Sequence, residues 1–257
     1  MRCPKSGQSC GAPSVYAINP ARQLPALVLW AHGGAGRSGV AEDLAVRLRS
    51  AGQFSEVAAC SLKGDPGLAE TVRGMSAEPV YLVPLLMAEG HTYRTVLPRL
   101  LAEMPGRRIV QCRPVGVAPG LDAVAVAQAL EACAVRKFAP GDTTLVLAAH
   151  GTQRHADSGD AAHQMAGRIA ETGQFHRVCE AFLEQPPLLE AVLRPIAPRL
   201  CVVVGLFMDH GAHSTDDIPR IIASAHSGAA DSGPVGAHPG IAEIILGLVK
   251  AEASSKD

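Results

Sequence analysis

Hydrophobic residues in this chain fall into short continuous runs, separated by longer stretches in which they recur every three or four positions. A short continuous run reads as a strand buried on both faces, and the 3.6-residue recurrence reads as an amphipathic helix. The runs predict strands near 26–31, 56–61, 79–86 and 108–113, then near 143–149, 177–182, 200–207 and 232–235. The periodic stretches predict helices over 40–51, with Val40, Leu44, Val46 and Leu48 as its apolar positions, and over 159–172, 187–196, 214–226 and 238–251. Gly or Pro marks most of the joints. Residues 227–233 are too rich in Gly and Ala for a firm assignment. Strands alternating with helices predict an α/β chain with parallel sheets covered on both faces.

The pattern repeats. Ala-Leu-Val-Leu-Trp-Ala-His-Gly at 26–33 returns as Thr-Leu-Val-Leu-Ala-Ala-His-Gly at 144–151. The run from Val80 to Met87, followed by His91 and Pro98, returns as the run from Val202 to Met208, followed by His213 and Pro219. Pro114-Val115-Gly116 and Pro119-Gly120 return as Pro234-Val235-Gly236 and Pro239-Gly240. Three landmarks in one order identify a tandem duplication. The predicted fold is therefore two similar halves, each a parallel four-stranded sheet flanked by helices. The expected division is an N-terminal segment over 1–25, one half over 26–136 and the other over 143–251, joined through 137–142.

Composition narrows the function. The net charge of −1 offers no basic face for nucleic acid or an anionic membrane, and an aromatic share of 4% offers few platforms for base stacking. Neither nucleic acid nor membrane is an expected partner. Seven cysteines without a C-x-x-C pair exclude a zinc ribbon and a thioredoxin motif. Cys3 and Cys10 lie in the polar N-terminal stretch, read as a frayed tail. An odd cysteine count without a recognisable leader predicts a reducing, cytoplasmic location.

Ligands of open parallel sheets bind beyond the carboxyl ends of the strands. His32 and His150 follow the first strand of each half; His91 and His213 follow the third. The second half adds a carboxylate, since Cys-Glu-Ala-Phe-Leu-Glu at 179–184 ends in Glu184 where Cys-Ser-Leu-Lys at 60–63 ends in Lys63. Two imidazoles and a carboxylate suit a borderline divalent ion such as Fe²⁺, Co²⁺, Ni²⁺ or Zn²⁺. A lysine in that place repels one. The second half reads as the working half.

The segments His150-Gly-Thr, Ala181-Phe-Leu-Glu184 and Gly-Ala-His213-Ser-Thr-Asp-Asp-Ile-Pro219 resemble the class II tetrapyrrole chelatases, which insert Fe²⁺ into sirohydrochlorin for siroheme or Co²⁺ for cobalamin. The resemblance runs from about Ala26 to Lys250. It implies an active-site cleft between the halves that holds sirohydrochlorin or a related tetrapyrrole, and a monomer or homodimer. It also implies a divalent metal taken as substrate, with no permanently bound cofactor. His150, Glu184 and His213 then bind the metal and take two protons from the macrocycle. His32, His91 and His210 are secondary candidates, and Arg37 and Arg154 are candidates for the substrate's carboxylates. Backbone amides after Gly33 and Gly151 are further candidates. Cobalt-specific relatives often carry His-rich tails; 251–257 has no His, which favours iron.

Two other readings compete. A metal carrier without catalysis would use the same ligands. A histidine phosphatase-like enzyme also begins with a strand ending in His-Gly, but needs an arginine before the histidine, where Ala31 and Ala149 stand here.

Overall fold

A computed structural model of the chain describes residues 24–33, 39–151 and 159–255. The first half runs β1 (Ala26–Ala31), α1 (Gly39–Ser50), β2 (Glu56–Ser61), α2 (Leu68–Arg73), β3 (Val80–Leu85), α3 (Leu97–Ala102), β4 (Ile109–Gln111) and α4 (Leu121–Arg136). The second runs β5 (Thr144–Ala149), α5 (Asp160–Glu171), β6 (Arg177–Phe182), α6 (Leu189–Leu193), β7 (Cys201–Gly205), α7 (Ile218–Ala225), β8 (Ala230–Pro234) and α8 (Ile241–Ser254). The strands form two parallel four-stranded sheets, ordered β2-β1-β3-β4 and β6-β5-β7-β8. The duplicated α/β architecture expected from the apolar runs is the architecture observed.

Each sheet sorts its side chains by the two-residue period of a strand. In the first, Leu27, Leu29, Val83 and Leu85 face one way, and Val28, Trp30 and Leu82 the other. The outer face packs on α2 and α3. The outer face of the second sheet, with Val146, Ala148 and Val203, packs on α6 and α7. The inner faces share one core: Leu29 and Val83 belong to the same cluster as Leu147 and Val204, bridged by α1, α4, α5 and α8. In that middle layer the last helix of each half crosses over. Helix α4 packs on β7 and β8, and α8 packs on β3 and α1.

Several details differ from the sequence pattern. Val46 is 57% exposed, so the buried face of α1 is Val40, Ala41, Leu44, Ala45 and Leu48. The 187–196 stretch contracts to the single turn of α6, α8 begins at Ile241, and 230–234 is a strand despite its composition. The turns after β3 and β7 lead into one π-helical turn each, Thr92–Val96 and His213–Asp217. In each, the amide five residues on closes the turn: Leu97 donates to Thr92, and Ile218 to His213.

Those π turns also correct the repeat. They align at an offset of 121, shared by Gly90 with Gly211 and Pro98 with Pro219 (211 − 90 and 219 − 98). At that offset His213 matches Thr92, and His91 matches Ala212. The one-residue slip arises because sequence comparison aligned the two histidines, whereas the backbone aligns the turns. His91 is therefore not the counterpart of His213.

Candidate functional site

The His-Gly pair that ends β1 and β5 is a turn that only glycine fits well. Gly33 and Gly151 have φ of 71° and 72°, in the left-handed region. A Cβ there would also press into Ser61 in the first half and into Gln185 and Phe182 in the second. The turn leaves His150 at the carboxyl end of its sheet.

Glu184 reaches the same place through strand register. Strands β5 and β6 pair from Thr144 with Arg177 to Ala149 with Phe182. The chain of β6 continues past that pairing, and the amide of Glu184 donates to the carbonyl of His150 at 3.0 Å. Glu184 thus sits two residues beyond the strand rather than closing it. Its Oε1 is 3.6 Å from Nε2 of His150, and both side chains are about half exposed.

His213 arrives from the turn after β7. Ser214 pins that turn: its hydroxyl donates to the carbonyl of Asp209 and accepts the amide of Gly211, both at 3.0 Å. The ring of His213 then meets that of His150 edge to face, with centroids 4.5 Å apart and planes at 83°. Phe207 stands behind it at 6.1 Å. The ends of β5 and β6 and the turn after β7 so bring His150, Glu184 and His213 together. Among the described residues, no three His, Cys, Asp or Glu side chains already stand in coordination geometry. The closest donors are well spaced, however: two ligands of a tetrahedral ion at about 2.1 Å lie about 3.4 Å from one another.

The structure adds two residues that the sequence analysis did not assign to the site. Asp217 places Oδ2 2.8 Å from Nδ1 of His213, and its Oδ1 accepts from Arg220 at 2.9 Å. Hydrogen bonds from His213 and Arg220 hold the Asp217 carboxyl below the usual carboxylate range. The signal was present as His-x-x-x-Asp, but acids in a first helical turn are ordinarily read as partners of the helix dipole.

The remaining candidates separate. His210 is exposed on the turn, its amide donating to its neighbour Asp209, and no contact joins its ring to the cluster. His32 and His91 are exposed in the first half. Arg37 and Arg154 lie outside the described residues, as do Cys3, Cys10 and His155. His226 is buried, with Nε2 2.8 Å from the carbonyl of Arg199, and His238 lies near Glu131; both are structural.

Comparison with known proteins identifies the family of the two halves. The CbiX family profile matches residues 26–132 and 144–252, one match per half. A protein of Halobacterium salinarum described as a probable sirohydrochlorin cobaltochelatase is 29% identical over 223 residues, which are 77% of this chain and 76% of that protein. The solved structure of CbiX, described as the terminal enzyme for siroheme biosynthesis in denitrifying bacteria, superposes with a TM-score of 0.71 at 26% identity, over 88% of this chain and 98% of that one. A multi-domain protein of Deinococcus radiodurans with structural similarity to chelatases superposes at 0.74 with 25% identity; the match covers 88% of this chain but 55% of that larger one.

Proposed function

The chain belongs to the CbiX family, and we propose that it is a sirohydrochlorin chelatase, a metal-inserting lyase that works through His150, Glu184 and His213. One observation carries the site assignment. Three separate segments of the second half converge on one spot at the carboxyl edge of its sheet, with Nε2 of His150 3.6 Å from Glu184 and the rings of His150 and His213 in edge contact. The first half has Lys63 and Thr92 at two of those three places.

Insertion replaces two pyrrole N–H protons with one divalent ion. The side chains must hold the ion on one face of the macrocycle, then give it up while bases accept the two protons. Neutral imidazole can do either, because its ordinary pKa is about 6.5. In this reading His150 and His213 deliver the metal and take protons, and Glu184 neutralises part of the ion's charge. The half exposure of all three suits a site that must pass its metal on. The tetrapyrrole lies between the halves, within one chain, so a monomer suffices. Arg37 and Arg154, beyond the two His-Gly turns, are the proposed carboxylate partners. Among the described residues, Cys60, Cys133 and Cys201 are buried and form no disulfide, which suits a reducing compartment, and the cytoplasm is the proposed location. No helix among the described residues is long and apolar enough to cross a membrane.

Fe²⁺ and Co²⁺ both suit these donors, since selectivity among first-row ions rests on geometry and supply as well as affinity. The test is anaerobic insertion into sirohydrochlorin with each ion at matched concentration, followed by the tetrapyrrole spectrum. Both ions should be inserted, Fe²⁺ faster; the reverse order assigns the enzyme to cobalt. His150→Ala and His213→Ala should each lower the rate by at least about 100-fold with the circular dichroism unchanged. Metal binding with an unaltered tetrapyrrole spectrum would identify a carrier instead.

A further inference from the structure

Asp217 is not one of the three proposed metal residues, yet it is tied to one of them. Its Oδ2 is 2.8 Å from Nδ1 of His213, and its Oδ1 is held by Arg220 at 2.9 Å. An ionised carboxylate can only accept, so the ring nitrogen facing it is the one that carries the proton. The other nitrogen, Nε2, keeps its lone pair. Arg220 engages the second carboxylate oxygen, which keeps Asp217 turned toward the ring.

The duplicated half supplies an internal control. At the offset that aligns the two π turns, Asp217 corresponds to Val96, His213 to Thr92 and Arg220 to Arg99. The first-half turn reaches the same π geometry, closed by the same five-residue hydrogen bond, with valine in that place. The backbone therefore does not need the carboxylate. Nor does the helix start, where Asp216 already supplies an acid. Asp217 is present in the half where its histidine partner is present and absent in the half where that partner is threonine.

We propose that Asp217 is a positioning residue for metal insertion, holding His213 as the Nδ1–H tautomer so that Nε2 faces the incoming ion. This rests on the assignment of His213 to the metal. Carboxylates that accept from ligating histidines fix ring orientation and basicity, and losing one typically costs 10–100-fold in metal affinity or activity.

The experiment uses the full chain with Asp217→Asn and Asp217→Val. Long-range ¹⁵N–¹H NMR of the metal-free protein reports the tautomer of His213 directly. The wild type should be mainly Nδ1–H, and both variants should lose that bias. Insertion with Co²⁺ varied should show kcat/KM for the metal lowered about 10–100-fold, with KM for sirohydrochlorin changed less than about two-fold. Asp217→Val copies the residue that already occupies the equivalent turn, so it should fold even where Asp217→Asn does not. An unchanged tautomer, or an unchanged kcat/KM for the metal, overturns the proposal. His213→Ala, measured alongside, separates the two failures. If it inserts metal normally, the site assignment itself is wrong. If it is inactive while the Asp217 variants insert normally, only the positioning role is lost.

Discussion

Three substitutions separate the two halves at the level of single residues. Lys63 stands for Glu184, Thr92 for His213 and Val96 for Asp217, while His32 still matches His150. The first half has thus lost a charge of the right sign, an imidazole and that imidazole's partner. Glu184→Lys, which copies the first half, should lower insertion by at least about 100-fold, because it places a cation at the proposed metal site. Lys63→Glu alone should create no second site, since Thr92 offers no imidazole; two metal ions bound per chain in that variant would contradict this. The buried thiols stand apart from the chemistry. Burial pushes Cys60 up to about 11 and Cys201 up to about 12, so both stay protonated at neutral pH in the metal-free protein. A raised folded-state pKa gives stability that is intact below the unfolded value, about 8.5 to 9, and is lost as pH rises toward the folded one. Urea midpoints should therefore fall between pH 8.5 and 10.5, and Cys201→Ala should make that fall shallower. An identical slope in the variant would show that Cys201 is not its source.

Among the elements, the Pro-Val-Gly landmark of each half has a packing cause. The amide of Gly116 donates to Leu86 and that of Gly236 to Phe207, both at 2.9 Å, which draws the backbone against the end of the third strand. A Cβ on Gly116 would overlap the backbone of Met87, and one on Gly236 the backbone of Met208. Backbone cannot swing aside as a side chain can. Gly116→Ala and Gly236→Ala should each cost about 1–3 kcal/mol, the range for overpacking a tight core, read as a lowered urea midpoint at constant m-value. A stability change below about 0.5 kcal/mol would mean that the contact relaxes freely. These elements also show what was legible in advance. The central strands were, because β1, β3, β5 and β7 are nearly all apolar and buried on both faces. Strand β8 was legible only in part, as an expectation near 232–235: Ala-Asp-Ser-Gly-Pro has poor strand propensity, and it is held by tertiary bonds, from Ser232 to the carbonyl of Val203 and from Gln128 to the carbonyl of Ser232. The π turns left no trace in hydrophobic periodicity, and that is why His91 was paired with His213. The site's ligand candidates were visible as residue types at strand ends. Their partners Asp217 and Arg220 were not, because a first-turn acid has an ordinary explanation that only the contact in the fold displaces.

For the whole molecule, the crossing of α4 and α8 decides whether the halves are independent. Helix α4 is encoded with the first half, but packs on β7 and β8 of the second. Its buried residues Val124, Ala125, Ala129 and Cys133 join a core that also holds Leu147 and Val204. Gln128 on that helix donates to the carbonyl of Ser232, and Asp122 accepts from Arg168 of α5 at 3.1 Å. Helix α8 returns the exchange, with Ile245 and Leu248 in the same core beside α1 and β3. Each sheet is therefore closed by a helix that belongs, in chain order, to the other half. A fragment of residues 143–255 would keep the candidate ligands but lose the cover of β7 and β8, and its own α8 would have no sheet to pack on. Such a fragment should unfold without a sharp transition and insert no metal, whereas the intact chain should unfold in one cooperative step. Mixing it with a fragment of residues 1–142 should restore both the transition and insertion, because that fragment keeps the packing of residues 137–142, including Phe138 against the core, and the covalent link supplies effective concentration. A fragment of 143–255 that melts sharply as a monomer would show that the crossed helices are packing partners but not structural necessities.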